Sequence, residues 1–551
     1  MTAFPFKGLV VAWVLMLAAF GPGFGQVSDS IAKKIDRVFS DWDKTNSPGC
    51  AIAVVKDGKV IYTRGYGMSN MEYSIAITPG SIFHVASISK QFAAAAIQRL
   101  ALEGKLSLSD DVRKWIPEVP DFGHVITLAH LMHHTSGLRD QWDLQSLAGW
   151  REGDLITEED VMEMLQRQQG LNFAPGDEYL YCNTGYTLLG VVVKRVTGVS
   201  LRRLADSVFF QPLGMTSTHF HSDHSEIVPN RTSAYVRESG RWAIDIPVFD
   251  TYGATSLFTT VGDLAKWDAN FYSAKVGGEA FIEAMLKPGV FNNGTLQNYA
   301  SGLSLGDYNG RRTVEHAGAD AGYRANFLRF PGERLSVIIL ANLGNINPGD
   351  LCHKVADIFL PPIAGGTGPA AAAAAVDTAT ARRLDGDYWD HIRKVRLKFE
   401  SYTQYNTNLG GLSLNGIALR AVNDSVYRNP SNGTEYRFST AGDPITMVSR
   451  APGTTDRRFE KVKKVTFSLK SLEEYTGMFY SKELDVRYSL FMKDYALQVK
   501  TPRNDASELK PFIKDVFFGP FVMEVQRDKK GKVSGFLLST GRSRNIKFEK
   551  M

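Results

Sequence analysis

The chain has 551 residues, of which 44% are hydrophobic and 22% charged, with a net charge of +5. That length exceeds one ordinary domain and points to about three, and the apolar fraction is that of a globular protein rather than a disordered one. Neither zinc-ligand cysteine spacing nor an aromatic–basic motif accompanies the small net charge, which excludes the usual nucleic-acid binders.

At the start, Lys7 precedes an apolar run from Gly8 to Phe20 and then Gly21-Pro22-Gly23-Phe24-Gly25. A basic residue, a short apolar run and a small-residue exit predict a signal peptide over 1–25, hence a periplasmic or secreted protein. The run is shorter than the roughly 20 residues a membrane span needs. No later stretch is long and apolar enough to span, so no transmembrane segment is expected after signal removal. Cys50, Cys182 and Cys352 are scattered and odd in number, which is no disulfide framework and permits one bridge at most.

Residues 29–44 show helical periodicity through Ile31, Ile35, Val38 and Phe39. Cys50–Val55 and Lys59–Tyr66 flank Asp57-Gly58, the dipeptide of a type I′ hairpin turn. A second hairpin is predicted from Ala325–Phe330, Pro331-Gly332 and Leu335–Leu343, followed by a helix near Leu351–Leu360. Strands from the two ends are expected to pair in one antiparallel sheet, with helices on its faces and a helical middle: an α+β domain over 26–360.

Pro361 to Ala375 breaks this pattern with Pro, Gly and Ala and predicts a linker over 361–380. Beyond it lie short alternating strands and a weak repeat. Leu384-Asp385-Gly386-Asp387-Tyr388-Trp389 is echoed by Tyr475-Thr476-Gly477-Met478-Phe479-Tyr480, and Phe459-Glu460-Lys461 by Phe548-Glu549-Lys550. Two small all-β, barrel-like domains are expected, at 381–465 and 466–551. Residues 381–551 hold 31 Lys/Arg against 20 Asp/Glu, which reads first as a solvated surface and second as weak attraction to anionic wall or membrane material.

Ser87-Ile88-Ser89-Lys90 opens an Ala-rich helix running through Ala93–Ala96 to Leu100. Positions i and i+3 share a helix face, so the Ser87 hydroxyl and Lys90 amine can lie side by side. A serine needs a base to become a nucleophile, and a desolvated lysine can be that base. Taken alone, the tetrapeptide reads more readily as a helix cap and a solvated lysine than as a catalytic pair. Tyr181-Cys182-Asn183 sits in a turn before a helix, able to present a phenol and an amide. Glu315-His316-Ala317-Gly318-Ala319-Asp320 precedes the late hairpin as a Gly-rich strand edge, open to close approach by a substrate backbone. His219, His221, Asp223 and His224 can be drawn as a metal cluster but fit a polar loop better. Arg324 is a candidate for a substrate carboxylate, and His133-His134 reads as structural.

In that order and at those intervals, Ser87-x-x-Lys90, Tyr181-x-Asn183 and His316-x-Gly318 resemble the three motifs of the penicillin-recognising serine hydrolases. These include class C β-lactamases, D-Ala-D-Ala carboxypeptidases, D-aminopeptidases and related esterases. Leu131 to Leu138, Pro212-Leu213-Gly214-Met215 and Phe330-Pro331-Gly332 add to the likeness, which covers about 30–360. The β units resemble lipocalin-like barrels appended to some D-aminopeptidases. The resemblance implies that Ser87 forms an acyl-enzyme, with Lys90 and Tyr181 moving its proton. Asn183 would hold the substrate amide or the lysine. His316, where many relatives have lysine, would orient a leaving group or carboxylate, and the N–H groups of Ser87 and Ala319 would form the oxyanion hole. No cofactor is implied. The expected substrates are small peptides, amides or esters, peptidoglycan fragments among them. Two other readings stay open: a non-catalytic wall- or ligand-binding protein on the same fold, and a β-lactamase, against which His316 argues.

Overall fold

In a computed structural model of the chain, the described residues are 27–151, 153–361, 374, 376–403, 409–465 and 467–551. The predicted signal segment and most of the expected linker lie outside them. Helix α1 (Asp29–Val38) starts where the Ser28 side chain accepts a hydrogen bond from the Ile31 N–H, an N-cap. Strands β1 (Cys50–Lys56) and β2 (Lys59–Tyr66) follow. Between them Asp57 and Gly58 take φ of 52° and 74°, the two positive angles that a type I′ turn requires. Next come helices α2 (Ser89–Leu102), α3 (Gln141–Leu147), α4 (Asn183–Thr197) and α5 (Val261–Ser273). Strands β3 (Ser304–Tyr308), β4 (Arg311–Asp320), β5 (Tyr323–Phe330) and β6 (Leu335–Ala341) and helix α6 (Pro348–Phe359) complete this part.

The sheet runs β3-β4-β5-β6-β1-β2. Its chain ends meet at its centre, where β1 pairs antiparallel with β6 from Cys50↔Ala341 to Lys56↔Leu335. Side chains alternate across a strand, and β1 feeds two cores. Ile52 and Val54 pack with Ile35 of α1 and Val355 of α6. Ala51, Ala53 and Val55 pack with the helical lobe that contains α2, α4 and α5. The expectation of helices on both faces of an antiparallel sheet therefore holds.

The C-terminal region forms two antiparallel β units that come close to closing as barrels. In the first, Val376–Asp377 lies at one end of the strand order and Arg420–Asn423 at the other; the Ala374 N–H donates to the Ala421 carbonyl across the gap. In the second, the two end strands, Ser507–Glu508 and Lys510–Ile513, are joined through Leu509, whose N–H reaches the Leu497 carbonyl. The weak sequence repeat corresponds to equivalent pairings. Tyr388 faces Lys461 and Trp389 faces Glu460, as Phe479 faces Lys550 and Tyr480 faces Glu549.

The second β unit is packed onto the N-terminal part. Leu144 and Leu147 of α3 belong to the same apolar core as Tyr475, Tyr488 and Phe521, and the Tyr488 hydroxyl donates to the Leu147 carbonyl at 2.7 Å. All three cysteines are buried and free.

Candidate active site

Ser87 stands at the N-terminal end of α2, in a single 3₁₀ turn over Ala86–Ile88. Ala86 takes φ 48°, a left-handed angle costly for a residue with a Cβ and of a kind that gathers at functional sites. One helical turn on, Lys90 is fully buried. Its Nζ lies 3.0 Å from Ser87 Oγ, 2.9 Å from Asn183 Oδ1 and 2.7 Å from the Ala254 carbonyl. Burial lowers its pKa to about 7, with Asp140 pulling upward and Arg542 downward. An uncharged amine has two N–H groups and one lone pair. The two carbonyl oxygens take the N–H groups and leave the lone pair facing the serine hydroxyl.

Tyr181 is the third member. Its ring lies 4.9 Å from Lys90 Nζ, and Ser87 is near enough to its hydroxyl to act on it. Burial drives the phenol well above its usual range, with Ser87 pulling the other way, so it is protonated and not a phenolate.

Asn183 begins α4, and its amide is fixed by a residue that sequence reasoning missed. Buried Asp140 accepts from Asn183 N at 2.6 Å and from Asn183 Nδ2 at 2.8 Å. That turns Oδ1 toward Lys90 and commits the amide NH₂ away from the cavity, to the carboxylate. Asp140 is also the N-cap of α3; sequence supports a cap there, but not a partner 43 residues away.

His316 lies on β4. Its Nδ1 donates to the Ala317 carbonyl at 2.7 Å and its Nε2 meets the Tyr299 hydroxyl at 2.9 Å. Burial, with nearby Lys90 adding to it, lowers its pKa to about 4, so the ring is neutral and both nitrogens are engaged. Pairing of β4 with β3 ends at Glu315, whereas pairing with β5 continues to Asp320. Residues 316–320, Ala319 among them, therefore present one unpaired edge to the cavity, as a substrate-pairing strand requires.

Gly318 is where β4 passes the serine turn. A Cβ there would come within 2.3 Å of the Val85 carbonyl, so the close approach needs glycine. Gly318→Ala is expected to push β4 off the turn and lower kcat/KM about 100-fold, the scale of an ångström-sized misplacement. Steady-state kinetics alongside a melting curve checks this. Unchanged kinetics would mean the strand yields freely.

The cavity over these residues measures about 650 Å³. Trp142 and Phe249, stacked at 4.9 Å between ring centroids, form an apolar wall with Trp150. Asp320 lies on its floor, accepts from Thr255 Oγ1 at 2.7 Å, and is raised by burial to about 6. Arg542 of the second β unit reaches the rim.

Residues 35–354 match the family model described as beta-lactamase, more than half of the chain. The chain belongs to the beta-lactamase family of serine hydrolases. It is 29% identical over 322 residues to a D-aminopeptidase of Gluconobacter oxydans, covering 57% of this chain and 60% of that one. Penicillin-binding protein 4* of Bacillus subtilis is 27% identical over 326 residues, covering 56% and 71%. A D-aminopeptidase of Brucella anthropi is 28% identical over 320 residues, covering 57% and 59%. The chain thus spans about three fifths of the D-aminopeptidases it matches. Among solved structures, the octameric penicillin-binding protein homologue from Pyrococcus abyssi superimposes with a TM-score of 0.54 at 22% identity, over 78% of this chain and 99% of that one. A penicillin-binding protein from Bacillus halodurans gives 0.51 at 22% identity, over 59% and 98%.

Arg324 and the histidine-rich loop sit apart from this beta-lactamase-type site, whereas His134 and Cys182 lie behind it. The Arg324 guanidinium donates to the Ala321 and Tyr323 carbonyls, both at 2.7 Å, so it braces its own turn and does not line the cavity. The histidine-rich loop divides in two: His219 and His221 gather with Glu226, while Asp223 and His224 gather with Asp250. Arg202 holds both oxygens of Glu226, at 2.6 and 2.7 Å, which places a guanidinium where a cation would go. His134, also buried, accepts from the Cys182 N–H through Nδ1 at 3.1 Å and packs on the Tyr181 ring at 4.2 Å. Cys182 lies in the core, where burial raises its thiol to about 12.

Proposed function

We propose that the protein, acting outside the cytoplasm, is a hydrolase that forms an acyl-enzyme on Ser87 and cleaves amide, peptide or ester bonds in small substrates. The observation that carries this reading is a desolvated Lys90 amine 3.0 Å from the Ser87 hydroxyl, beneath an open strand edge. Lys90 takes the Ser87 proton as Oγ attacks the carbonyl carbon. The N–H groups of Ser87 and Ala319 then hold the oxyanion. Collapse of the tetrahedral adduct breaks the scissile bond, and the proton on Lys90 passes to the leaving group directly or by relay through the Tyr181 hydroxyl. Water repeats the sequence on the acyl-enzyme and frees Ser87.

Similarity to D-aminopeptidases favours short peptides or amides with D-residues. The neutral His316 disfavours β-lactam hydrolysis as the main activity, and nitrocefin turnover measures that directly. A fluorophosphonate probe is expected to label wild type at Ser87 and leave Ser87→Ala unlabelled. The variant should lose a factor of about 10⁴ or more in ester turnover. Equal labelling and turnover in both proteins would overturn the reading and favour a binding protein.

A further inference from the structure

Besides the serine machinery, the cavity carries charge whose use the reaction does not explain. Four basic side chains stand in or around it. Lys90 is surrounded by three oxygens and serves as the base. Arg151, at the outer edge, is ion-paired with Asp154 at 3.7 Å. His316 is neutral with both nitrogens engaged. Arg542 alone among the described cavity-lining cations has neither an ion pair nor a hydrogen bond for its guanidinium. It is exposed, and its Cζ lies 4.9 Å from the centre of the Tyr181 ring.

The backbone that carries Arg542 is held from several directions. The Arg542 N–H donates to Asp143 Oδ2 at 2.9 Å, and its carbonyl accepts from Asn172 Nδ2 at 2.9 Å. Two residues on, the Arg544 N–H donates to Asn172 Oδ1 at 2.7 Å, and its side chain pairs with Glu178 at 3.1 Å. Arg139 grips the Arg544 carbonyl through Nε at 3.1 Å and Nη2 at 3.0 Å. These bonds fix the loop without help from the Arg542 side chain, which is left free over the Tyr181 ring.

We propose that Arg542 forms a carboxylate subsite lent to the catalytic centre by the second β unit, so that the preferred substrates are anionic peptides or amides. The inference rests on the Ser87 reading above and adds the substrate class to it. A guanidinium stacked on an aromatic ring keeps its planar fork open, and that fork matches a carboxylate through two parallel hydrogen bonds. Asp320 on the floor repels an anion, so the cavity is polarised: the carboxylate sits at the rim by Tyr181, the uncharged part of the substrate against the Trp142–Phe249 wall. Arg324, the arginine that sequence offered for this task, is occupied elsewhere.

The test uses the full chain at pH 9, with thioesters of benzoylglycine whose leaving group is mercaptoacetate or its methyl ester, and a third with a free carboxylate on the acyl side. Arg542→Gln is expected to lower kcat/KM for an anionic substrate about 10- to 100-fold, the worth of a charge-assisted hydrogen bond, and to leave the methyl ester within twofold. Arg542→Lys should retain part of the preference, and Arg542→Glu should invert it. Inhibition of methyl-ester turnover by 3-carboxyphenylboronic acid against phenylboronic acid gives a second readout, the carboxylated compound losing its advantage in Arg542→Gln. An equal fall on all three esters would make Arg542 a support for Tyr181 and overturn the inference. So would no fall on any. Failure of wild type to turn over even the methyl ester through Ser87 would instead sink the hydrolase reading.

Discussion

Lys90→Met is expected to reduce kcat/KM by about 10²–10⁴, the contribution of a positioned general base, while the protein stays folded. Methionine keeps the length of the stem and removes the amine. The variant leaves Asn183 Oδ1 and the Ala254 carbonyl without a donor, at about 1–3 kcal/mol each, which unfolding curves will register as a modest loss. The pH dependence of wild type follows from the same amine. Only the uncharged form can accept the Ser87 proton, and burial sets its pKa at about 7. Activity should therefore rise with pH through about 7 and level off above. Arg542 pushes that pKa down, so Arg542→Gln should move the rising limb to higher pH. A flat profile from pH 5 to 9, or full activity in Lys90→Met, would remove Lys90 as the base.

Much of this site can be read from local sequence, because its parts are short motifs with fixed offsets. The i, i+3 relation of Ser87 and Lys90 is a property of any helix, and Gly318 marks a close approach whatever it approaches. The hairpin at Asp57-Gly58 follows from the conformational demands of a two-residue turn. What sequence could not reach depends on contacts between distant segments. Asp140 looks like an N-cap, and its hold on Asn183 appears only when α3 and α4 meet. His316 looks like a titratable replacement for lysine; burial and the Tyr299 hydroxyl make it neutral. Choosing between Arg324 and Arg542 required knowing that one arginine folds back onto its own turn. The other crosses from a separate β unit more than 200 residues later in the chain. Such placement is set by domain packing, for which no local pattern exists.

That packing depends on a buried ion pair, and Glu483→Ala should show how strongly. Arg139, just before Asp140, lies 2.5 Å from Glu483 of the second β unit, with both side chains 3% exposed. Burial pulls the guanidinium down and pushes the carboxyl up, each opposed by its partner. Removing one member of such a pair strands the other charge in the interior, which costs about 3–5 kcal/mol. Glu483→Ala should lose about that much in denaturant unfolding and expose the junction to limited proteolysis. Arg139 also anchors the Arg544 carbonyl, so the loss should spread to the loop that carries Arg542. Selectivity for carboxylated thioesters should fall although neither Glu483 nor Arg139 lines the cavity. Replacing both residues with methionine should recover most of the stability, since an apolar pair of similar volume avoids the desolvation of either charge. If Glu483→Ala unfolds within about 1 kcal/mol of wild type, the pair is effectively solvated and the second β unit is held by its other contacts, the apolar one of Leu144 and Leu147 and the hydrogen bonds of Asp143 and Asn172 among them.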